Sequence, residues 1–162
     1  MSDFTIHQQL RLDTHYLGRL KLCHLLLHKN AVIPWFLLVP ETEVGDLLDL
    51  PNELRRTSME EAAVISAFVK QTFGCAKVNF ASIGNVVPQL HLHIVGRTPT
   101  DPCWPAPVWG NLREAREYSA AEVSHIIEAL QRYAPVEFAR GNQVEENQTL
   151  RPSERQKTSG SF

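Results

Sequence analysis

The sequence predicts an α+β domain, a mainly antiparallel sheet with a helix packed across one apolar face. Two observations predict it. Four apolar runs of strand length, "RLKLCHLLLH", "WFLLV", "AKVNFASIG" and "QLHLHIVGR", are separated by proline, glycine and asparagine punctuation. Between the second and third runs, apolar residues recur three or four apart over 57–73, the period of a helix that buries one face. With 162 residues, 43% of them hydrophobic, the chain has the size and composition that close a single core.

Residues 1–19 mix polar and apolar positions without a clean period and are expected to form an arm with one helical turn. Arg19–His28 reads as the first strand and Trp35–Val39 as the second. Pro34 suits the start of that second strand, because proline has no donor for a ladder, and Pro40 suits its exit. "VGDLLDL" reads as a short helical or irregular segment. In the long helix Thr57 or Ser58 is the expected cap, and Glu60 and Glu61 suit the positive end of the first turn. Ala62, Ile65, Phe68, Val69 and Phe73 form its buried stripe, and Gly74 suits the left-handed position that ends it. The strand "AKVNFASIG" sets Val78, Phe80 and Ser82 on one face and Asn79 and Ala81 on the other. "GNVVP" then turns the chain into "QLHLHIVGR". Three prolines in "DPCWPAPVWG" exclude regular helix and central strand, so an ordered loop is expected. Ser119–Tyr133 reads as a second helix, capped by Ser119 and apolar at Ala121, Val123, Ile126, Ile127, Leu130 and Tyr133. From Gly141 the chain is too polar to build a core, giving a domain over 1–140 and a polar, flexible tail over 141–162.

A net charge of −2 and a pI near 6.4 supply no broad positive field for nucleic acid or an anionic membrane. No apolar run approaches the roughly eighteen residues of a membrane span. "MSDFTIHQQLRLD" lacks the basic and then apolar pattern of a secretion signal, so a cytoplasmic protein is expected. Cys23, Cys75 and Cys103 are odd in number and show no Cys-x-x-Cys spacing, which suggests reduced thiols rather than a disulfide framework or zinc knuckle.

The run "NVVPQLHLHIVGR" carries the chemistry. On a strand Gln89, His91 and His93 share one side, and Leu90, Leu92 and Ile94 share the other. The leucine side is what a helix-covered sheet requires; the polar side is expected to meet solvent or to line a cleft. Same-face residues lie about 7 Å apart. Taken alone, His-x-His admits three readings. It can decorate a strand surface. It can supply two ligands to a metal, although no acidic residue occurs between His93 and Asp101 to complete a set nearby. It can also provide a neutral imidazole nucleophile with a second imidazole to hydrogen-bond a phosphate oxygen.

"PQLHLHIVGR" resembles the histidine triad (HIT) family of nucleotide hydrolases and transferases, whose motif is His-φ-His-φ-His-φ-φ with φ apolar. Here it reads Gln89-Leu90-His91-Leu92-His93-Ile94-Val95. "IPWFLLVPE", "VGDLLDL" and "KVNFASIGN" resemble the family's segments in the same order. "DPCWPAPVWG" is similar to the segment after the motif in a bacterial, diadenosine polyphosphate hydrolase-like subgroup. The resemblance implies a HIT-like α+β domain, a homodimer, and hydrolysis of a nucleotide phosphoanhydride or phosphoramidate without metal or cofactor. It makes His91 the nucleophile toward the α-phosphorus and His93 the donor to a non-bridging oxygen. Gln89 keeps the backbone carbonyl that receives the His91 Nδ1 proton, but its side chain cannot act as an acid. A branch that transfers nucleotidyl groups to sugar phosphates carries glutamine at the last triad position; His93 stands there, which favours hydrolysis.

The same resemblance places Asn79 and Asn85 near the phosphates and Asn30 at the ribose. Strand-edge and turn roles compete for the first two. His24 and His28 are expected in the core or a turn, and His7, His15 and His125 at the surface. Trp35 is expected to pack, with an aromatic wall for a base as the alternative; Trp104 and Trp109 are expected to pack in the core or at an interface, with covering the cleft or stacking on substrate as the alternatives. A non-catalytic nucleotide-binding or regulatory protein is the rival reading, and a metalloenzyme another.

Overall fold

The computed structural model describes residues 4–133 and 137–138; the segment 141–162 lies outside the described residues. The elements are α1 (Gln8–Asp13), β1 (Thr14–Arg19), β2 (Cys23–His28), β3 (Trp35–Pro40), α2 (Asn52–Phe73), β4 (Lys77–Ser82), β5 (Leu92–Arg97), α3 (Ala120–Tyr133) and β6 (Glu137–Phe138). One turn of 3-10 helix, Leu47–Asp49, lies within "VGDLLDL". The strands form one sheet in the order β4-β5-β3-β2-β1-β6, with every pair antiparallel. The α+β class and the helix across the sheet are as the sequence predicts. None of the helices is long and apolar enough to cross a membrane, among the described residues.

The sheet's two faces are set by alternation along β3 and β5. Phe36, Leu38, Leu92 and Ile94 point toward α2, where Ala62, Ile65, Phe68 and Val69 close the larger core with Leu25 and Leu27. Trp35, Leu37, Val39 and Val95 point the other way and are covered by a second layer. That layer is made of Ile6 and Leu10 from the N-terminal segment and Val108 from the proline-rich loop, with Phe4, Trp109 and Leu112 packed on them.

Several boundaries differ from expectation, each for a physical reason. The N-terminal arm contains a helix and a full strand, because β1 is bulged between Tyr16 and Gly18 and its side-chain alternation breaks there. Arg19 belongs to β1, and the chain turns over Leu20–Leu22, closed by Leu20 N–H donating to the Cys23 carbonyl at 2.9 Å. The long helix starts at Asn52, so Thr57 and Ser58 are interior rather than caps. The Thr57 hydroxyl donates to the Glu53 carbonyl one turn back, at 3.0 Å, and Ser58 is fully buried. Glu61 is also buried; its carboxylate accepts from the Leu22 and Cys23 amides at 2.8 and 2.9 Å, holding the start of β2 against the helix. Gly74 ends α2 with φ 64°, as expected. At α3, Ser119 and Glu122 form a reciprocal capping box: Glu122 N–H donates to Ser119 Oγ at 3.2 Å, and Ser119 N–H donates to the Glu122 carboxylate at 2.8 Å.

The proline-rich loop is ordered by a buried cation. Arg97 donates to both carboxylate oxygens of Asp101, at 2.7 and 3.1 Å, and to the Ala106 carbonyl at 2.8 Å, while Trp104 lies 5.6 Å from its guanidinium. Burial alone would raise the Asp101 carboxyl, but the Arg97 hydrogen bonds hold it below its ordinary value. This clamp sets the loop across the second face.

Gly96, on β5, marks the closest approach of sheet to helix. A Cβ there would lie 2.6 Å from Cys75 Sγ and 2.7 Å from Val69 Cγ1. Gly96→Ala is expected to destabilise the fold by about 1–3 kcal/mol through overpacking. A urea melt reads this as a lower midpoint at unchanged slope; an unshifted midpoint would contradict the contact.

Candidate active site

His91 and His93 lie on the covered face, next to each other, with ring centroids 4.8 Å apart and planes at 73°. Strand β5 begins at Leu92, so Gln89, Leu90 and His91 form the extended approach to it. The shared face follows from alternation, but the cleft expected beside it is filled: each imidazole is 1% exposed. The second layer does this, and its N-terminal part carried no periodicity from which a covering layer could be read.

Each ring has a defined anchor. His91 Nδ1 lies 2.7 Å from the Gln89 carbonyl oxygen, which can only accept, so Nδ1 carries the proton and Nε2 the lone pair. Burial lowers the His91 pKa from the ordinary 6.5, opposed by this hydrogen bond and reinforced by His7. His93 Nδ1 lies 3.0 Å from Trp35 Nε1. Burial, with His91 and His28 as neighbours, pushes His93 down to about 3.

The Gln89 side chain has a separate task. Its Oε1 accepts from the His7 N–H at 2.7 Å, and its Nε2 donates to the Thr5 carbonyl at 3.0 Å. One primary amide thus clasps the backbone of the N-terminal segment on both its donor and its acceptor side. The segment is held further along by Ile6 and Leu10 in the core and by the His7 ring, whose Nδ1 accepts from Gln9 N–H at the start of α1.

An aromatic train extends from the histidines. Trp35 stacks on His28 at 4.5 Å and 14°, and Trp109 sets its edge against Trp35 at 5.8 Å and His93 at 5.3 Å. His28 Nδ1 accepts from the Asn30 N–H at 3.0 Å, and burial lowers its pKa to about 4. The contact between Trp35 and His93 is not among the roles that the sequence suggests for this tryptophan, which are packing or a wall for a base. The one available signal was that a buried indole seeks an acceptor for its N–H; which acceptor depends on strand register.

The three asparagines are spread around this group. Asn30 sits in the turn after β2, where its amide accepts from the Val32 and Arg116 N–H groups and donates to the Glu114 carbonyl, tying that turn to the 114–117 segment. Asn79, across from Val95, accepts from Arg97 at 2.7 Å and so belongs to the loop clamp. Asn85 is exposed in the turn before the motif. Only Gln89, His91 and His93 are joined directly. No group of three His, Cys, Asp or Glu side chains is placed to hold a metal, among the described residues.

The HIT domain family model matches residues 9–100. Crystal structures of histidine triad proteins share the fold. One from Bradyrhizobium japonicum is 38% identical with TM-score 0.76, over 80% of this chain and 97% of its own. One from Sinorhizobium meliloti 1021 is 30% identical with TM-score 0.78, over 83% and 99%. One from Marinobacter aquaeolei VT8 is 37% identical with TM-score 0.75, over 80% and 95%. No functionally curated protein matches the chain.

Burial lowers the pKa of five histidines, 15, 24, 28, 91 and 93. The unfolded chain, with imidazoles near 6.5, therefore binds more protons than the folded one in mildly acid solution. Their contribution to stability is complete above 6.5 and is lost as pH falls toward about 4 for His28 and about 3 for His93. Urea midpoints at about pH 7 and about pH 5.5 should show the protein weaker at the lower value. Equal midpoints would contradict neutral, buried imidazoles.

Proposed function

We propose that this chain, which belongs to the histidine triad (HIT domain) family, hydrolyses a nucleotide phosphoanhydride or phosphoramidate through a covalent adduct on His91. Diadenosine polyphosphates and adenosine phosphoramidate are the substrate types that this reading favours. The observation that carries it is the 2.7 Å contact between His91 Nδ1 and the Gln89 carbonyl, which leaves the nucleophilic lone pair on Nε2.

In the first step His91 Nε2 attacks the α-phosphorus, and the bond from phosphorus to the leaving oxygen or nitrogen breaks with its electron pair. The leaving group takes its proton from solvent, because the Gln89 amide can donate a hydrogen bond but cannot act as an acid. In the second step water attacks the phosphorus and releases a proton to solvent, the phosphorus–nitrogen bond breaks with its electron pair returning to His91 Nε2, and the nucleoside monophosphate leaves with the neutral imidazole restored. The proton stays on His91 Nδ1, donated to the Gln89 carbonyl, throughout. Access to His91 requires the N-terminal segment to yield. Its two hydrogen bonds to Gln89 are exposed, so each contributes only about 0.5–1.5 kcal/mol to closure.

His91→Ala should lower kcat by at least about 10⁴-fold, and mass spectrometry under single-turnover conditions should find a nucleotidyl adduct on His91 in the unmodified protein. Activity should rise with pH to a plateau whose acid midpoint lies below 6.5, since the attacking ring must be neutral. Equal, near-zero turnover by both forms with nucleotide still bound would favour the binding module instead.

We also propose a homodimer joined at β4. This strand is one edge of the sheet, and Phe80 on it and Ile83 and Val86 just after it are 40%, 38% and 62% exposed. Phe80→Asp should convert a dimer to a monomer in sedimentation velocity; a wild-type protein that sediments as a monomer would remove this reading.

A further inference from the structure

Trp35 hydrogen-bonds His93 through its indole nitrogen, and the indole's chemistry makes that contact informative. An indole nitrogen only donates. With Trp35 Nε1 at 3.0 Å from His93 Nδ1, the imidazole must present a lone pair at Nδ1 and carry its single proton on Nε2. A charged ring would set one N–H against another. The indole is itself held in place: His28 stacks on it at 4.5 Å, Trp109 abuts it at 5.8 Å, and it is 3% exposed. The titratable groups facing His93 are His91 on its own segment and His28 from β2, both kept neutral by burial.

We infer that Trp35 is a positioning residue: its N–H selects the Nε2–H tautomer of His93, so that the ring offers a donor, not a lone pair, to a phosphate oxygen of a nucleotide held at His91. The inference rests on the hydrolytic reading above for its consequence, but not for the tautomer. The opposite tautomer would turn an unshared pair toward the anionic phosphate and forfeit one donor to the charge that develops there. Two neighbouring histidines are thereby set in opposite tautomers. The Gln89 carbonyl puts the His91 proton on Nδ1 and makes Nε2 the nucleophile; the Trp35 indole puts the His93 proton on Nε2 and makes it the donor.

The test is long-range proton–nitrogen NMR on the full chain labelled with ¹⁵N, near neutral pH. Wild-type protein should show His93 as the Nε2–H tautomer, with a scalar coupling across the hydrogen bond between Trp35 Nε1 and His93 Nδ1. Trp35→Phe, which keeps an aromatic ring and removes the N–H, should populate the Nδ1–H form. With diadenosine tetraphosphate, its kcat should fall by about 10- to 100-fold, below the full loss of an oxyanion donor, while KM changes by less than about threefold. A wild-type His93 that is charged or protonated at Nδ1 overturns the inference even if the variant does not fold. So does a folded Trp35→Phe protein that keeps both the tautomer and kcat. A tautomer that follows Trp35 in a protein turning over neither diadenosine tetraphosphate nor adenosine phosphoramidate supports the positioning and removes the hydrolytic reading.

Discussion

A buried imidazole must be neutral, and its polar nitrogens need partners inside the protein; the sheet face bearing His91 and His93 is organised around those two demands. Both rings are 1% exposed, so water cannot serve them as it would on a strand surface. The partners that the fold supplies are unlike. One is a carbonyl two residues back on the same chain, which can only accept; the other is an indole from the neighbouring strand, which can only donate. Burial thus does more than lower two pKa values. It forces a choice of tautomer at each ring, and the choices differ.

The covering layer that imposes this burial depends in turn on two local devices. Arg97, at the end of the histidine strand, fixes the proline-rich loop through Asp101 and Ala106. Gln89, at its start, fixes the N-terminal segment through Thr5 and His7. The histidines are bracketed in sequence by the residues that anchor their cover. A change in either clamp reaches the imidazoles through solvent exposure without touching them.

Much of the fold was legible because its signals are local. Ser119 and Glu122 sit at capping-box spacing and start a helix there; Gly74 ends one; the alternation of Leu90, Leu92 and Ile94 with His91 and His93 assigns both faces of β5. Where local signals mislead, a distant partner is the cause. Thr57, Ser58 and Glu61 suggest a helix start, yet all three lie inside the helix, and Glu61 is buried holding the Leu22 and Cys23 amides, 39 and 38 residues away in sequence. The bulge in β1 erases the alternation that would have announced a strand. In the candidate site the three motif residues and the bond from His91 to the Gln89 carbonyl lie within five consecutive positions, and so could be anticipated. The roles of Trp35, Thr5 and His7 depend on strand register and on an 82-residue loop closure, which no spacing encodes.

Glutamine at position 89 can be understood from what the covering segment requires. The N-terminal backbone presents one N–H and one C=O toward Gln89, and a primary amide is a side chain that donates and accepts from one rigid plane. A neutral imidazole also has one donor and one acceptor, but on opposite sides of its ring, so it cannot pair with both groups of an adjoining backbone in the same manner. A carboxylate could accept from His7 but would face the Thr5 carbonyl with a second oxygen. The amide therefore fits the clasp, and it does so while leaving its own backbone carbonyl on His91. In the proposed reaction this separates two tasks at one residue: the main chain orients the nucleophile, and the side chain helps to hold the segment that covers the site. An acid at this position is given up in the exchange, so the most favourable leaving groups are those that depart without protonation by the protein, such as a nucleoside polyphosphate.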